Sequence, residues 1–458
     1  MNLLIDWGVF CIFKSTNGLI GLLINELTSH PIYQPPNRTI MNERLLQFIW
    51  QFQYYNKADL FTEEGESLQV IHPGTYNSNQ GPDFLDAKIR IGKTTWAGHI
   101  ELHVHASHWT DHQHSKDKNY RNIILHVVWE QDVSLQLPFQ TLVLHHRVSK
   151  LLLDKYSGMM TGSHFIACEK QLPAVSALVI ASWKERMLVE RLQQKSRQVF
   201  AYLKQNNHHW EECFWWMLAK NFGATVNSTA FEKIARSIPL NILAKHKQQL
   251  IQIESLLFGQ AGLLENSFTE DYPRLLQREY KMLQSKYGLQ QAEQPLFFLR
   301  MRPANFPTIR LAQLAMLVHR SKHLFASARE CNEANEMRQL LDITANDYWH
   351  YHYNFDEASA FKKKTLGRQM TDNILINTVA VMLFAYGTYQ NEDRYRNKAL
   401  QWLDTVAAEK NSISNGFLQT GIPIKSAYDS QALIQLKHHY CDEKRCLDCA
   451  IGNQLLRQ

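Results

Sequence analysis

A chain of 458 residues, 45% hydrophobic and 11% aromatic, is long enough for two or three compact domains, which excludes a small scaffold held by staples. Lys and Arg number 49 against 43 Asp and Glu, a formal charge of +6 too small to argue for a nucleic-acid partner by itself. No unbroken run of about 18 apolar residues occurs, so the composition points to a soluble globular protein with no membrane partner.

In chain order, Leu3 to Phe13 is apolar but carries Asp6 and lacks a basic lead and a small-residue cleavage site, so no signal peptide is expected. Residues 1–40 read either as a non-native or disordered extension, with Met41 the true start, or as an ordinary N-terminal arm. Leu45, Leu46, Phe48, Ile49 and Phe52 recur at helical spacing after Glu43. A short strand is predicted at 68–71, then a turn-rich stretch from Pro73 to Pro82, then a strand from Asp83 to Ile91. Strict alternation from Thr95 to Ala106 puts Ile100, Leu102 and Val104 on one strand face and His99, Glu101, His103 and His105 on the other. After a polar stretch from His108 to Tyr120, buried strands are expected at 122–129 and 141–145.

Beyond about residue 166 the period becomes helical, with helices predicted at 175–203, 209–220, 230–237, 244–258, 273–287, 308–325, 373–387 and 432–439. The reading is α+β: an α/β sheet domain over 41–165, then a mostly helical domain over 166–458 that ends in a cysteine cluster. Seven cysteines, four of them isolated (Cys11, Cys168, Cys213, Cys331), do not make a disulfide framework, and the expected location is cytoplasmic.

Seven of the 21 histidines fall between Trp96 and Trp129. Asp83 at the head of one strand and Glu101 in the next can converge on a divalent cation, with His103 on the same face. Hydrolysis of a phosphodiester needs such a set: hard oxygen ligands for Mg²⁺ or Mn²⁺ and a group that positions the attacking water. The pattern over residues 41–145 resembles the PD-(D/E)XK nuclease superfamily, whose core runs α-β-β-β-α-β. The resemblance implies a restriction-endonuclease-like domain, Asp83 and Glu101 as metal ligands, Glu43 as an accessory ligand, and DNA or RNA as partner. Where that superfamily usually has lysine this chain has His103, which lacks a permanent charge; Lys88 on the preceding strand is the alternative cation.

Two other readings stand beside a metal-dependent nuclease. One is a non-catalytic nucleic-acid or protein-binding module on a degenerate nuclease fold. The other is a His-ligated metalloenzyme using His99, His103, His105, His108, His112 and His114, with Glu101 or Asp117 completing the site. The bland alternative is that Glu101 and the imidazoles line a solvated sheet face.

The tail carries Cys441, Cys446 and Cys449 at metal-ligand spacing, with Lys444 and Arg445 expected to lower the thiol pKa values. A zinc ion or an iron–sulphur cluster would need a fourth ligand, either His438 or His439 nearby or the distant Cys168. One distant cysteine with three near the C-terminus resembles the iron–sulphur staple of some nucleases of that superfamily, at different spacing. Arg302 and Arg310 flank a predicted helix start with Thr308 as its cap, a geometry for phosphate or for carboxylates between helices. Gly223, Gly259 and Gly262 read as helix ends or close-packing points. Taken whole, Asn79-Gln-Gly-Pro-Asp-Phe, Gly98-His-Ile-Glu-Leu-His-Val, Arg302-Pro-Ala-Asn-Phe-Pro and Arg445-Cys-Leu-Asp-Cys-Ala-Ile-Gly resemble a bacterial family of unknown function, which implies that the sheet and helical parts form one unit.

Overall fold

The computed structural model describes residues 41–114 and 117–457. The readings of residues 1–40, Met41 as initiator among them, fall outside the described residues. Helix α1, Glu43–Gln51, is started by the Asn42 side chain, which accepts from the Leu45 amide at 2.8 Å. It buries Leu45, Leu46, Phe48, Ile49 and Trp50.

Six strands follow: β1 (Leu68–His72), β2 (Thr75–Tyr76), β3 (Phe84–Ile91), β4 (Thr94–His105), β5 (Ile123–Glu130) and β6 (Gln140–Val143). The main path is β1-β3-β4-β5-β6, with β2 hung on β3. β1, β3 and β4 pair antiparallel, whereas β4, β5 and β6 run parallel. A parallel neighbour requires the chain to cross over the sheet, and the β4–β5 crossover carries the short helix α2 (His108–Asp111) and a 3-10 turn (Lys118–Tyr120). β5, between β4 and β6, is buried from Ile123 to Trp129, which is why its sequence is apolar on both faces, His126 apart, rather than alternating.

Helices dominate the rest, beginning with α3 (Lys150–Thr161), α4 (Ala177–Gln205) and α5 (Trp210–Phe222). One hydrophobic core runs from α1 and the sheet through these helices, and the chain from Met41 onward is one compact unit.

Several predicted helices are revised. The segment 244–258 is two helices, Leu240–His246 and Leu250–Gln260, and 308–325 is Pro307–Arg320 followed by Leu324–Glu330. The run predicted at 373–387 contains a π-helical stretch, Leu375–Val379. The continuous helix Arg368–Tyr389 has the length and hydropathy of a membrane span, but 78% of that window is buried within the fold. Thr308 is not a cap: Phe306 is, and the Thr308 hydroxyl donates to the Tyr353 carbonyl at 2.5 Å. Gly259 is a close-packing point, since a Cβ there would lie 2.1 Å from the Tyr280 ring.

Candidate metal centre

Alternation along β4 puts Ile100 and Leu102 into the core and Glu101 and His103 on the opposite face. That face is not solvated: Glu101 is 5% exposed and His103 1%, because the crossover folds back over them. A bulge between Phe84 and Ala87, with Asp86 at φ 57°, turns Asp83 toward Glu101. The Asp83 amide donates to Glu101 Oε2 and the Leu102 amide to Asp83 Oδ2, both at 3.0 Å. Gln47, one helical turn beyond Glu43 on α1, donates to Asp83 Oδ1 at 2.8 Å.

The other carboxylate oxygen of Glu101 faces imidazoles. Oε1 lies 3.4 Å from His114 Nε2 and 3.8 Å from His103 Nε2, and those nitrogens are 3.3 Å apart. A ring nitrogen of His112 joins those of His103 and His114, all three within 4.8 Å of one another. His126, opposite Glu101 in the β4–β5 register, approaches His103 Nδ1 with its Nε2 at 2.9 Å. With the His103 proton on Nδ1, its Nε2 lone pair points at the triangle. Trp109 packs on the rings of His103, His114 and His126, and Tyr120 stacks on His114 with centroids 4.0 Å apart.

Burial dominates the protonation of this group. It pushes Glu101 up to about 9, with the neighbouring Asp83 carboxylate adding to the effect. It also pushes Asp83 up to about 7, helped by Glu43 and opposed by the Leu102 amide. The same desolvation takes His103 down to about 2 and His114 and His126 to about 4. Neutral imidazoles can offer a ring-nitrogen lone pair, and among the described residues no Lys or Arg pairs with Glu101, whose close titratable neighbours are the neutral His103 and His114. This donor set fits a divalent cation, which would supply the positive charge the dry carboxylates lack. Three imidazoles with one carboxylate suit zinc, manganese or iron better than Mg²⁺, which prefers an all-oxygen shell.

The structure thus brings Asp83, Glu101 and His103 together. Glu43 stands at the rim, its Oε1 3.8 Å from His108 Nδ1. Lys88 is not brought in: it is exposed and pairs with Ala97, four residues, or about 13 Å, along β4 from Glu101. His99 Nδ1 accepts from the Asp86 amide in the bulge, the His105 ring meets His108, and Asp117 caps the 3-10 turn. Arg302 is exposed, while Arg310 donates to the side-chain oxygens of Asn305 at 2.6 Å and Gln313 at 2.9 Å. The sequence pattern does not single out Gln47 or His126. Gln47 follows Glu43 at i+4 on one helix face, a spacing that would have pointed to it; His126 becomes visible only through the β4–β5 register.

A model of the family described as "Protein of unknown function (DUF2851)" matches residues 43–412. Neither a curated protein nor a solved structure matches the chain.

Proposed function

The chain belongs to the DUF2851 family of unknown function, and from that premise we propose that it is a metal-dependent hydrolase of nucleic-acid phosphodiesters. Its centre would be Glu101, His103, His112 and His114, with Asp83 alongside. One observation carries the reading: Glu101 Oε1, His103 Nε2 and His114 Nε2 form a triangle with edges of 3.3 to 3.8 Å in a dry pocket. A single ion about 2.1 Å from each of three donors needs edges near 3.4 Å in tetrahedral geometry. The choice of substrate is supported by strand order. α1, the antiparallel β1-β3-β4 set and parallel β5, with Asp83 before β3 and Glu101 within β4, follow the order of the nuclease core that the sequence resembles.

When bound, a divalent ion would polarise the phosphoryl oxygen and make water acidic enough to attack near neutral pH. The chain's own groups do the rest. His126 holds the His103 ring, and Trp109 and Tyr120 exclude bulk water. Gln47 and the Leu102 amide fix the Asp83 carboxyl, whose pKa of about 7 suits it to hold or release a proton at working pH.

A second reading, a His-ligated metalloenzyme with redox-active iron, is favoured by the convergence of three imidazoles. The deciding experiment is metal analysis of the purified chain together with cleavage of single- and double-stranded oligonucleotides in Mn²⁺, Zn²⁺ and Mg²⁺. The expected result is bound metal and cleavage, both lost in Glu101→Ala and His114→Ala, and cleavage lost with metal retained in Asp83→Asn. Stoichiometric metal without cleavage in any of these ions would overturn the hydrolase. Oligonucleotide binding without metal would instead support the non-catalytic module.

A further inference from the structure

The tail folds back on the segment that leaves the sheet. Cys168 starts a 3-10 turn (Glu169–Ala174), Cys441 closes a π-helical turn (Lys437–Cys441), Cys446 opens another 3-10 turn (Cys446–Asp448), and Cys449 precedes the helix Ala450–Arg457. The Lys444 ammonium donates to the Met160 carbonyl, and Lys437 sits 5.1 Å from the Phe165 ring centroid. All four thiols are free, with Cys168, Cys446 and Cys449 buried. Cys441 lines one cleft with Ile166 and Ala167, the residues before Cys168, the last helix packs on the 3-10 turn that Cys168 starts, and as anions the thiols repel one another. Burial and these mutual repulsions push the thiols up, Cys168 and Cys446 to about 12. Lys437 and Lys444 do lower Cys441 and Cys446, as expected of Lys444, but burial outweighs them.

The surroundings favour sulfur as an anion once a cation is supplied. Cys449 stands at the N-terminus of the last helix, where the helix dipole stabilises negative charge. The buried Trp183 indole, edge-on to the Tyr440 ring, has an N–H without a hydrogen-bond partner. At Gly452 a Cβ would lie 2.3 Å from the Cys446 carbonyl oxygen, so only glycine lets the helix start approach this closely. His438 and His439 turn to Asp442 and Glu443 instead, at 3.4 and 3.9 Å, which leaves Cys168 as the fourth member.

The width of the cage distinguishes its occupants. Four thiolates about 2.3 Å from one zinc ion stand about 3.8 Å apart, yet no three of these sulfurs gather within 4.8 Å of one another. An inorganic core of iron and sulphide spaces its four cysteine ligands more widely than a single ion does. We propose that Cys168, Cys441, Cys446 and Cys449 ligate an iron–sulphur cluster, and that the cluster anchors the loop on which α1 rests. The second part follows from Asp448, between two of the ligands, which pairs with Arg44 of α1, the residue next to Glu43.

Iron and acid-labile sulphide analysis of the full chain, purified without oxygen, tests this independently of any cleavage activity. About four of each per chain, with visible absorption that bleaches on reduction, is the expected result. Cys168→Ser and Cys449→Ser should lose the signal, whereas Cys213→Ser, a buried thiol that faces the Val199 carbonyl, should keep it. One zinc per chain would overturn the cluster; no metal in the wild-type chain, even after reconstitution with iron and sulphide, would overturn the site. Arg44→Ala should keep its iron but exchange the amides of residues 43–51 faster, and unchanged exchange would refute the anchoring.

Discussion

Glu254, on the helix Leu250–Gln260, is fully buried far from any ligand set. Its Oε2 accepts from the Tyr272 hydroxyl at 2.8 Å and Asn346 Nδ2 at 3.1 Å, while Oε1 has no partner. Burial raises the carboxyl to about 7 against an ordinary 4.5, so between those values the folded chain keeps a proton that the unfolded chain has released. The acid is raised, so stability is greatest below pH 4.5 and falls as pH rises through 7. A gap of about 2.5 pH units at 1.36 kcal/mol each makes the loss about 3 kcal/mol. Glu254→Gln, which mimics the protonated acid, should abolish this component. Denaturant unfolding of both proteins at pH 5 and pH 8 is the assay: the variant should gain about 2.5 kcal/mol over wild type between the two conditions, since pH 5 already lies above 4.5. A wild-type-to-variant difference that stays constant across that range would refute the reasoning.

Two glycines with opposite surroundings make a paired test. Gly259→Ala drives a Cβ into the Tyr280 ring and should destabilise by about 1–3 kcal/mol. Gly158→Ala, exposed inside α3 with nothing within 4 Å of the new Cβ, should stabilise by about 0.5–1 kcal/mol; shifts of melting temperature of the same sign in both would contradict the packing described. Asn42→Ala removes the cap on α1 and should cost about 1 kcal/mol, with faster hydrogen exchange at residues 43–47 as the local readout.

Where local pattern and tertiary structure agree, the sequence was sufficient. Alternation at His99, Glu101, His103 and His105 identified the face of β4 that carries the candidate centre, and the Ile/Val-rich stretch at 122–129 marked a buried strand. The misses have causes that lie far along the chain. The break at 247–249 has no glycine or proline; His319 Nδ1 meets the Lys247 carbonyl at 2.7 Å, and His246 meets the Tyr287 hydroxyl at 2.8 Å. The helix Leu324–Glu330 begins anew because the Glu211 carboxylate accepts from the Phe325 and Ala326 amides, a cap supplied from more than a hundred residues away. Burial of Glu101 and His103 likewise depends on a crossover whose Trp109 and Tyr120 have no local signature as a cover.

The pair Arg44–Asp448 spans 404 positions of sequence. At 5–20 residues per second of synthesis, α1 leaves the ribosome roughly 20 to 80 s before its partner exists. During that interval the helix bearing Glu43 and Gln47 rests on the sheet, with Arg44 over the Tyr76 ring at 4.7 Å, and lacks its partner from the tail. The outer face of α1 therefore receives its distant partner only with the last residues to arrive, and a nascent chain halted before Asp448 would carry Glu43 and Gln47 on a helix without it.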